Sequence, residues 1–196
     1  HERLATVGGA ISPEMQVPKL LWLKQRMPHA FGRICRGGKA FDLADYLAFR
    51  ATDCAHDVRS LCTVVCKWNY DQNAELSGVG FDRGFLRSAG FGEGDLPPET
   101  IGAAVAAPGA PVAGGIAPRA AAEMGLRAGT PLAVGMIDAH AGGIGCVGAA
   151  VADKPPTPLT ARLALIAGTS TCHMASSATP CFVRGVWGPY WSAMAP

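Results

Sequence analysis

The stretch Leu163-Ala-Leu-Ile-Ala-Gly168-Thr169-Ser170-Thr171-Cys-His-Met174 decides the fold of this chain. Two apolar runs flank a turn of small residues, which predicts a β-hairpin with strands at 162–167 and 171–176. The turn residues offer unhindered backbone N–H groups and hydroxyls, and these suit phosphate oxygens. Glycine and serine are also common in ordinary turns, so a plain hairpin remains an alternative interpretation.

A lone carboxylate precedes this hairpin in Ile137-Asp138-Ala139-His140-Ala141-Gly142. It lies between a predicted buried strand at 131–137 and a predicted glycine-rich helix at 138–150. A carboxylate at the end of a strand can remove a proton from a substrate hydroxyl. Asp138 could equally be the N-cap of the helix, and the two roles are compatible because a helix N-terminus keeps a carboxylate ionised. Together, Asp138 and the small-residue turn indicate phosphoryl transfer to an alcohol.

Length and composition fit one ordinary domain or parts of two, in 196 residues. The hydrophobic fraction of 49% is ample for a core, and the charged fraction of 16% is too low for a disordered chain. A net charge of +2 with scattered basic residues excludes a nucleic-acid-binding protein. The most apolar window contains Asp138 and many glycines, which argues against a membrane span. Seven irregularly spaced cysteines predict reduced thiols and a cytoplasmic location.

The remaining periodicities favour an α/β fold. Helices are predicted at 17–27, after Asp42 with an apolar face of Leu43, Tyr46 and Leu47, at 81–89 and at 118–124. The segment 61–70 is ambiguous between helix and strand. Short extended pieces are expected at 101–116, and three prolines mark 151–160 as a linker.

Three further candidates carry alternative interpretations. Lys67 lies within an apolar stretch, where it could be a solvated surface lysine or could reach a sugar hydroxyl or carbonyl. Glu14 precedes a helix, where it could interact with the helix dipole or accept a hydrogen bond from a polyol. Asp138 and His140 form an Asp-x-His pair, but no second His/Cys cluster follows at ligand spacing. The sequence therefore predicts no metal site built by the protein, and a metal hydrolase is the weakest alternative.

The chain resembles the FGGY carbohydrate kinase family, and within it the ribulokinase-like branch of the D-ribulose kinase type. The resemblance rests on a combination of segments that spans nearly the whole chain. These segments are Gly8–Lys24, Phe41–Leu47, Arg59–Trp68, Ile137–Gly142, Gly168–Met174 and Gly185–Tyr190.

The resemblance implies a ribonuclease H-like, actin-like ATPase fold with two domains and an active site in the cleft between them. The aspartate that Asp138 matches is the family's catalytic base, which takes a proton from a sugar hydroxyl as it attacks the γ-phosphate of ATP. Gly168 and Thr169, with Ser170 beside them, match the phosphate-binding hairpin. Lys67 matches a substrate-contacting lysine, and Glu14 falls near a substrate-facing position. ATP and Mg²⁺ are the implied cofactors, and a ketopentose such as D-ribulose is the implied substrate.

The resemblance also predicts how the chain is divided. Residues 1–150 correspond to the later part of the first, substrate domain, 151–160 to the linker, and 161–196 to the start of the nucleotide domain. The family's Asp-x-Gly-Thr strand and its adenosine-binding glycine motif are expected before and after this segment, so the chain is interpreted as an interior fragment that is inactive alone. The alternative function is a catalytically inactive sugar-binding or actin-like scaffold. A homodimer is left open, because no residue pattern decides the oligomeric state.

Overall fold

The computed structural model describes residues 1–71, 80–102, 104–150, 152, 155–191 and 194, and these residues form a mixed α/β fold. This confirms the α/β class predicted from the sequence. The α-helices among these residues are α1 Gln16–Arg26, α2 Pro28–Cys35, α3 Leu43–Ala51, α4 Leu61–Trp68, α5 Arg83–Ser88, α6 Pro98–Ile101, α7 Pro118–Met124 and α8 Asp138–Gly148. Short 3₁₀ helices occupy Glu2–Thr6 and Leu159–Ala161.

The strands of the described residues pair two by two. They are β1 Val58–Ser60, β2 Tyr70–Asp71, β3 Gly80–Phe81, β4 Ala104–Ala106, β5 Pro111–Val112, β6 Leu132–Ala133, β7 Leu163–Ala167 and β8 Thr171–Ala175. The β1–β4 ladder is parallel, whereas β2–β3, β5–β6 and β7–β8 are antiparallel. In the β7–β8 hairpin, Leu163 pairs with Ala175 and Ala167 with Thr171, so the predicted hairpin is confirmed.

Helix α4 lies at the centre of the core, and it resolves the ambiguity of segment 61–70. Every residue of α4 except Lys67 is buried, which is typical of a helix covered on all sides. Asn69 ends the helix in the left-handed conformation, with φ of 54°. The surrounding cluster of buried residues consists of Val17, Leu20, Phe31, Leu61, Val64, Val65, Cys66, Trp68, Phe85, Leu86, Phe91, Leu96 and Ile101.

A buried carboxylate fixes the start of α4. Asp45 on α3 accepts hydrogen bonds from the backbone N–H of Ser60 at 2.8 Å and from the hydroxyl of Thr63 at 2.6 Å. Burial raises the pKa of Asp45 to about 6, although these hydrogen bonds favour the charged form. Asp45 therefore joins α3 to the β1–α4 junction.

Three sequence predictions about individual elements need correction. The expected apolar face of α3 is exposed, with Leu43 72% and Leu47 58% accessible, because α3 packs inward through Asp45. The predicted buried strand at 131–137 is only Leu132–Ala133, since it pairs with the equally short β5. Helix α5 begins at Arg83, because Phe81 belongs to β3.

Other predicted helices are confirmed closely, and two short ones, α2 and α6, were not predicted. Helix α1 ends just before Met27, and α7 has the predicted bounds. Pro28 follows the end of α1 and is also the first residue of α2, where its fixed φ suits the first helical turn.

The last described segment returns to the beginning of the chain. Gly185 donates its N–H to the Gly8 carbonyl at 2.9 Å, and Gly188 donates to Thr6 at 2.8 Å. A Cβ on Gly8 would lie 2.8 Å from the Gly185 carbonyl carbon, so the two backbones are in direct contact. Among the described residues, no helix combines the length and apolarity needed to cross a bilayer.

Candidate functional site

Asp138 is the first residue of α8, and its carboxylate is exposed. The N-cap position belongs to Ile137, so the prediction that Asp138 is the N-cap is wrong by one residue. The Asp138 Oδ1 atom accepts a hydrogen bond from the Ala139 N–H at 2.8 Å. Asp138 thus presents an exposed carboxyl group at the start of a helix.

Helix α8 packs directly against strand β7 because its glycines have no side chains. A Cβ on Gly142 would lie 3.1 Å from Cδ1 of Ile166. At the other end of the helix, the Arg162 guanidinium donates to the carbonyl oxygen of Val147 at 2.5 Å and to that of Ala149 at 2.7 Å. Residues later in α8 therefore contact residues earlier in the β7 segment, so the helix and the strand run antiparallel.

This antiparallel packing brings the start of α8 and the hairpin turn to the same end of the α8–β7 pair. Asp138 lies four residues before Gly142, about 6 Å along the helix axis. Gly168 lies two residues after Ile166, about 7 Å along the strand. The predicted base and the predicted phosphate-binding turn therefore lie at the same end of this helix–strand pair.

The turn Gly168-Thr169-Ser170 is exposed at all three residues. The Gly168 N–H donates to the Ser170 carbonyl oxygen at 2.9 Å, which closes the turn. This N–H is paired within the turn, and the phosphate-binding role of Gly168 stays a prediction. The hydroxyls of Thr169 and Ser170 are the exposed donors.

Lys67 is half-buried in the last turn of α4. Its Nζ atom lies 5.5 Å from the ring centroid of Trp187, within the range of a cation–π interaction. Trp187 in turn pairs with Val7 through an isolated β-bridge. The lysine head group is therefore held between the core helix and the returning segment 185–190.

Glu14 lies in the turn before α1, and its side chain is exposed. Its backbone N–H donates to the Ser12 hydroxyl oxygen at 3.2 Å. None of the described contacts joins Glu14 to Lys67 or Asp138. The role of Glu14 in substrate binding thus stays a prediction.

A cluster of two cysteines and a histidine joins α4 to α8, and the sequence interpretation missed it. The Nδ1 atom of His140 lies 3.1 Å from the Cys62 sulfur, and its Nε2 atom lies 4.0 Å from the Cys66 sulfur. The Ile137 N–H also donates to the Cys62 sulfur at 3.5 Å. The i, i+4 spacing of the cysteines could have indicated a shared helix face, but the contact with His140 is tertiary.

The cluster perturbs the acidity of both thiols. Hydrogen bonds from Cys66, His140 and Ile137 lower the pKa of Cys62 to about 5, although burial opposes this. The bond to Cys62 and burial raise the pKa of Cys66. The two thiols therefore differ in acidity, and Cys62 is the more acidic of the pair.

The alternative of a metal site on Asp138 and His140 requires further ligands. The residues that the structure describes contain no group of three or more His, Cys, Asp or Glu side chains arranged to hold a metal ion. The His140 ring faces the two cysteines. The seven cysteines are all free thiols.

Comparisons with known proteins give named relatives. No family model matches the chain. It is 47% identical over 203 aligned residues to an FGGY carbohydrate kinase domain-containing protein of Danio rerio, and 45% identical over 203 to one of Homo sapiens. These alignments cover 100% of this chain and 35% of each relative. A D-ribulokinase of Saccharomyces cerevisiae is 38% identical over 217 aligned residues, covering 98% of this chain and 29% of that protein.

The chain therefore spans about a third of the length of the curated relatives it matches. The similarity runs along all of it and is not confined to one motif. The resemblance noted from the sequence is confirmed: the chain is homologous, over its whole length, to the FGGY carbohydrate kinase domain-containing proteins.

Proposed function

We propose that this chain is part of an ATP-dependent carbohydrate kinase of the FGGY type, which transfers the γ-phosphoryl group of ATP to a hydroxyl of a ketopentose such as D-ribulose. The observation that carries the proposal is the antiparallel packing of α8 on β7, through Gly142 and Ile166, with Asp138 and the turn 168–170 at one end. Phosphoryl transfer depends on positioning and charge stabilisation, so an exposed base beside an exposed donor turn is the arrangement it needs.

Asp138 is the proposed general base. Its carboxylate is exposed to an incoming hydroxyl, while its backbone belongs to a helix that packs on the hairpin. It accepts the proton from the sugar hydroxyl as that oxygen attacks phosphorus. Lys67, held near Trp187, is proposed to bind a sugar hydroxyl or carbonyl oxygen, and Glu14 is proposed as a hydrogen-bond acceptor for the sugar.

ATP and Mg²⁺ are the proposed cofactors, and the exposed donors of the described residues fit them. The hydroxyls of Thr169 and Ser170 suit phosphate oxygens, and no acidic side chain lies within the turn. Bound ATP supplies the phosphoryl group, and its Mg²⁺ neutralises phosphate charge. Magnesium is usually held by phosphates, waters and one or two carboxylates, so ATP itself would bring most of its ligands.

The finer architecture belongs to the same proposal. A ribonuclease H-like, actin-like ATPase fold is supported by the homology and by the parallel pairing of β1 with β4, which needs a crossover connection between them. Residues 1–150 are proposed as part of the substrate domain, 151–160 as the linker and 161–196 as the start of the nucleotide domain. The Arg162 hydrogen bonds to the end of α8 then join the two domains next to the linker.

The test uses the complete protein that carries this segment. It is assayed with ATP and a panel of ketoses and polyols that includes D-ribulose, and ADP release is measured. The wild type is expected to turn over a ketopentose, and Asp138→Asn to lower kcat by about 10²- to 10⁴-fold. Asparagine keeps an oxygen for the Ala139 N–H, so the helix start is preserved. Glu123→Gln, an exposed charge on α7, is the control expected to keep normal activity.

Normal turnover by Asp138→Asn rejects the assignment of the base. A wild type that binds sugar but releases no ADP with any member of the panel favours the alternative, a catalytically inactive sugar-binding or actin-like scaffold.

A further inference from the structure

The proposed base has no side-chain contact that fixes it to another element among the described interactions. Its Oδ1 atom accepts only from the next residue of its own helix, at 2.8 Å. The direction of the Asp138 carboxylate is therefore set by the backbone from Ile137 to His140, and whatever fixes that backbone also fixes the base.

One sulfur atom contacts the residues on both sides of Asp138, the backbone before it and a side chain after it. Cys62 on α4 accepts the N–H of Ile137, the residue before Asp138, at 3.5 Å. It also lies 3.1 Å from Nδ1 of His140, two residues after Asp138. Cys62 is 0% exposed and belongs to the central core helix, so it is a rigid point of attachment.

We propose that the Cys62 sulfur positions the proposed base Asp138 by binding the backbone N–H of Ile137 and the imidazole of His140. This inference rests on the proposed kinase function, and Cys62 acts through α8 and not on the substrate. Cys62 contacts the first turn of α8 from the buried side, and the Asp138 carboxylate stays exposed on the other side.

The electrostatics agree with the geometry. Interactions of this sulfur with the Cys66 thiol, the His140 ring and the Ile137 N–H lower the pKa of Cys62 to about 5. Charges at Lys67 and Asp42 also act on Cys66. The sulfur lies at the N-terminal end of α8, where the helix dipole favours an electron-rich acceptor.

The first experiment compares substitutions at Cys62 in the complete protein. Cys62→Val keeps the approximate size and removes the acceptor, and Cys62→Ser keeps an acceptor oxygen. We expect Cys62→Val to lower kcat by about 10- to 100-fold, since a displacement near 1 Å has this effect, with little change in the KM for ATP. Cys62→Ser is expected to retain most of the activity. Cys146→Val, an exposed cysteine of α8 itself, is the matched control expected to match the wild type.

The second experiment changes the histidine. His140→Asn places an amide N–H near the position of Nδ1, and His140→Leu removes the donor. We expect His140→Leu to resemble Cys62→Val and His140→Asn to recover most of the loss. The double variant Cys62→Val/His140→Leu is expected to be scarcely worse than either single variant, because both remove one attachment.

A readout besides activity keeps the two proposals separable. Hydrogen–deuterium exchange of the amides of residues 139–141 should speed up in Cys62→Val and stay near the wild-type rate in Cys62→Ser. If the wild type releases no ADP, the proposed function fails, and the exchange result still decides whether Cys62 holds the start of α8. Equal kcat and equal exchange in wild type, Cys62→Val and His140→Leu overturn the positioning role. An unfolded Cys62→Val leaves the decision to the serine and histidine variants.

Discussion

Gly142 and Ile166 are in direct contact: a Cβ on the glycine would lie 3.1 Å from Cδ1 of the isoleucine. At this point only the Ile166 side chain lies between helix α8 and strand β7. Glycine in a helix interior costs about 1 kcal/mol relative to alanine, so this close approach offsets an intrinsic penalty. The contact also decides which end of the hairpin faces Asp138.

The same packing predicts opposite outcomes for two glycines of α8. A Cβ on Gly143 would lie 2.9 Å from Sδ of Met194 and 3.1 Å from Cε of Met174, whereas one on Gly145 meets nothing within 4 Å. Gly145→Leu is expected to stabilise the protein by about 0.5–1 kcal/mol through helix propensity. Gly143→Leu is expected to destabilise it by about 1–3 kcal/mol through overpacking.

Urea denaturation of the two leucine variants checks this prediction. Gly143→Leu should also lower kcat, because a bulky side chain separates the hairpin from the helix that carries Asp138. Equal stabilities for the two variants would contradict the packing of α8 on the hairpin.

The proposed roles of Thr169 and Lys67 predict separate kinetic effects. Thr169→Val removes an exposed hydroxyl from the turn and should raise the KM for ATP several-fold while leaving the KM for sugar nearly unchanged. Lys67→Met keeps an apolar stem near Trp187 and should raise the KM for sugar instead. Each variant is the control for the other in steady-state kinetics on the complete protein. A rise in both constants in both variants would argue for general damage to the fold.

A buried arginine predicts a strong effect at Gly102. The guanidinium of Arg59 lies 3.5 Å from the ring centroid of Phe41 and donates to the Ala40 carbonyl oxygen at 2.7 Å. Gly102 has φ of +118°, and a Cβ there would lie 2.3 Å from Cγ of Arg59. We expect Gly102→Ala to cost about 3 kcal/mol or more, since strain and overlap act together.

Gly109→Ala is the matched control for Gly102→Ala. Gly109 also has positive φ, +82°, but a Cβ there meets nothing within 4 Å, so only backbone strain of about 1–2 kcal/mol is expected. The two alanine variants are compared by urea denaturation. Similar losses at both positions would mean that Arg59 does not fill the space beside Gly102.

Asp45 predicts a pH dependence of stability. Burial raises its pKa to about 6 in the folded state, above the ordinary value of 3.8. The folded state therefore binds this proton more tightly, and its stabilising contribution is complete below about pH 4 and is lost as the pH rises through about 6. The contribution is on the order of 3 kcal/mol.

The measurement compares wild type with Asp45→Asn by urea denaturation between pH 4 and pH 7. Asparagine can accept the Ser60 N–H and donate to the Thr63 oxygen, so the buried contacts persist without the titration. The wild type should lose stability relative to Asp45→Asn as the pH rises. A difference that is constant with pH would show that Asp45 does not titrate in this range.

Much of the local structure could be predicted from the sequence. The hairpin at 163–175, helix α7 from Pro118 to Met124 and the start of α8 at Asp138 follow from local signals, which are apolar alternation, an N-terminal proline and a closing glycine. The homology was also recognisable from the sequence, because it depends on which residues are present and not on where they pack.

Contacts between distant residues needed the tertiary structure. The face of α3 that carries Leu43 and Leu47 is apolar yet exposed, because periodicity tells which residues share a face and not which face is covered. The Cys62–His140 contact joins residues that are 78 positions apart, so no local pattern encodes it.

The sequence by itself determined the hairpin, the glycine-rich helix and the family, since these depend on local conformational preferences and residue identity. Only the tertiary structure decided that Asp138 and the turn 168–170 lie at one end, that Gly168 uses its N–H within the turn, and that the Cys62 sulfur contacts both the Ile137 N–H and the His140 ring. The physical reason is that burial, hydrogen-bond partners and pKa values depend on which elements meet in space.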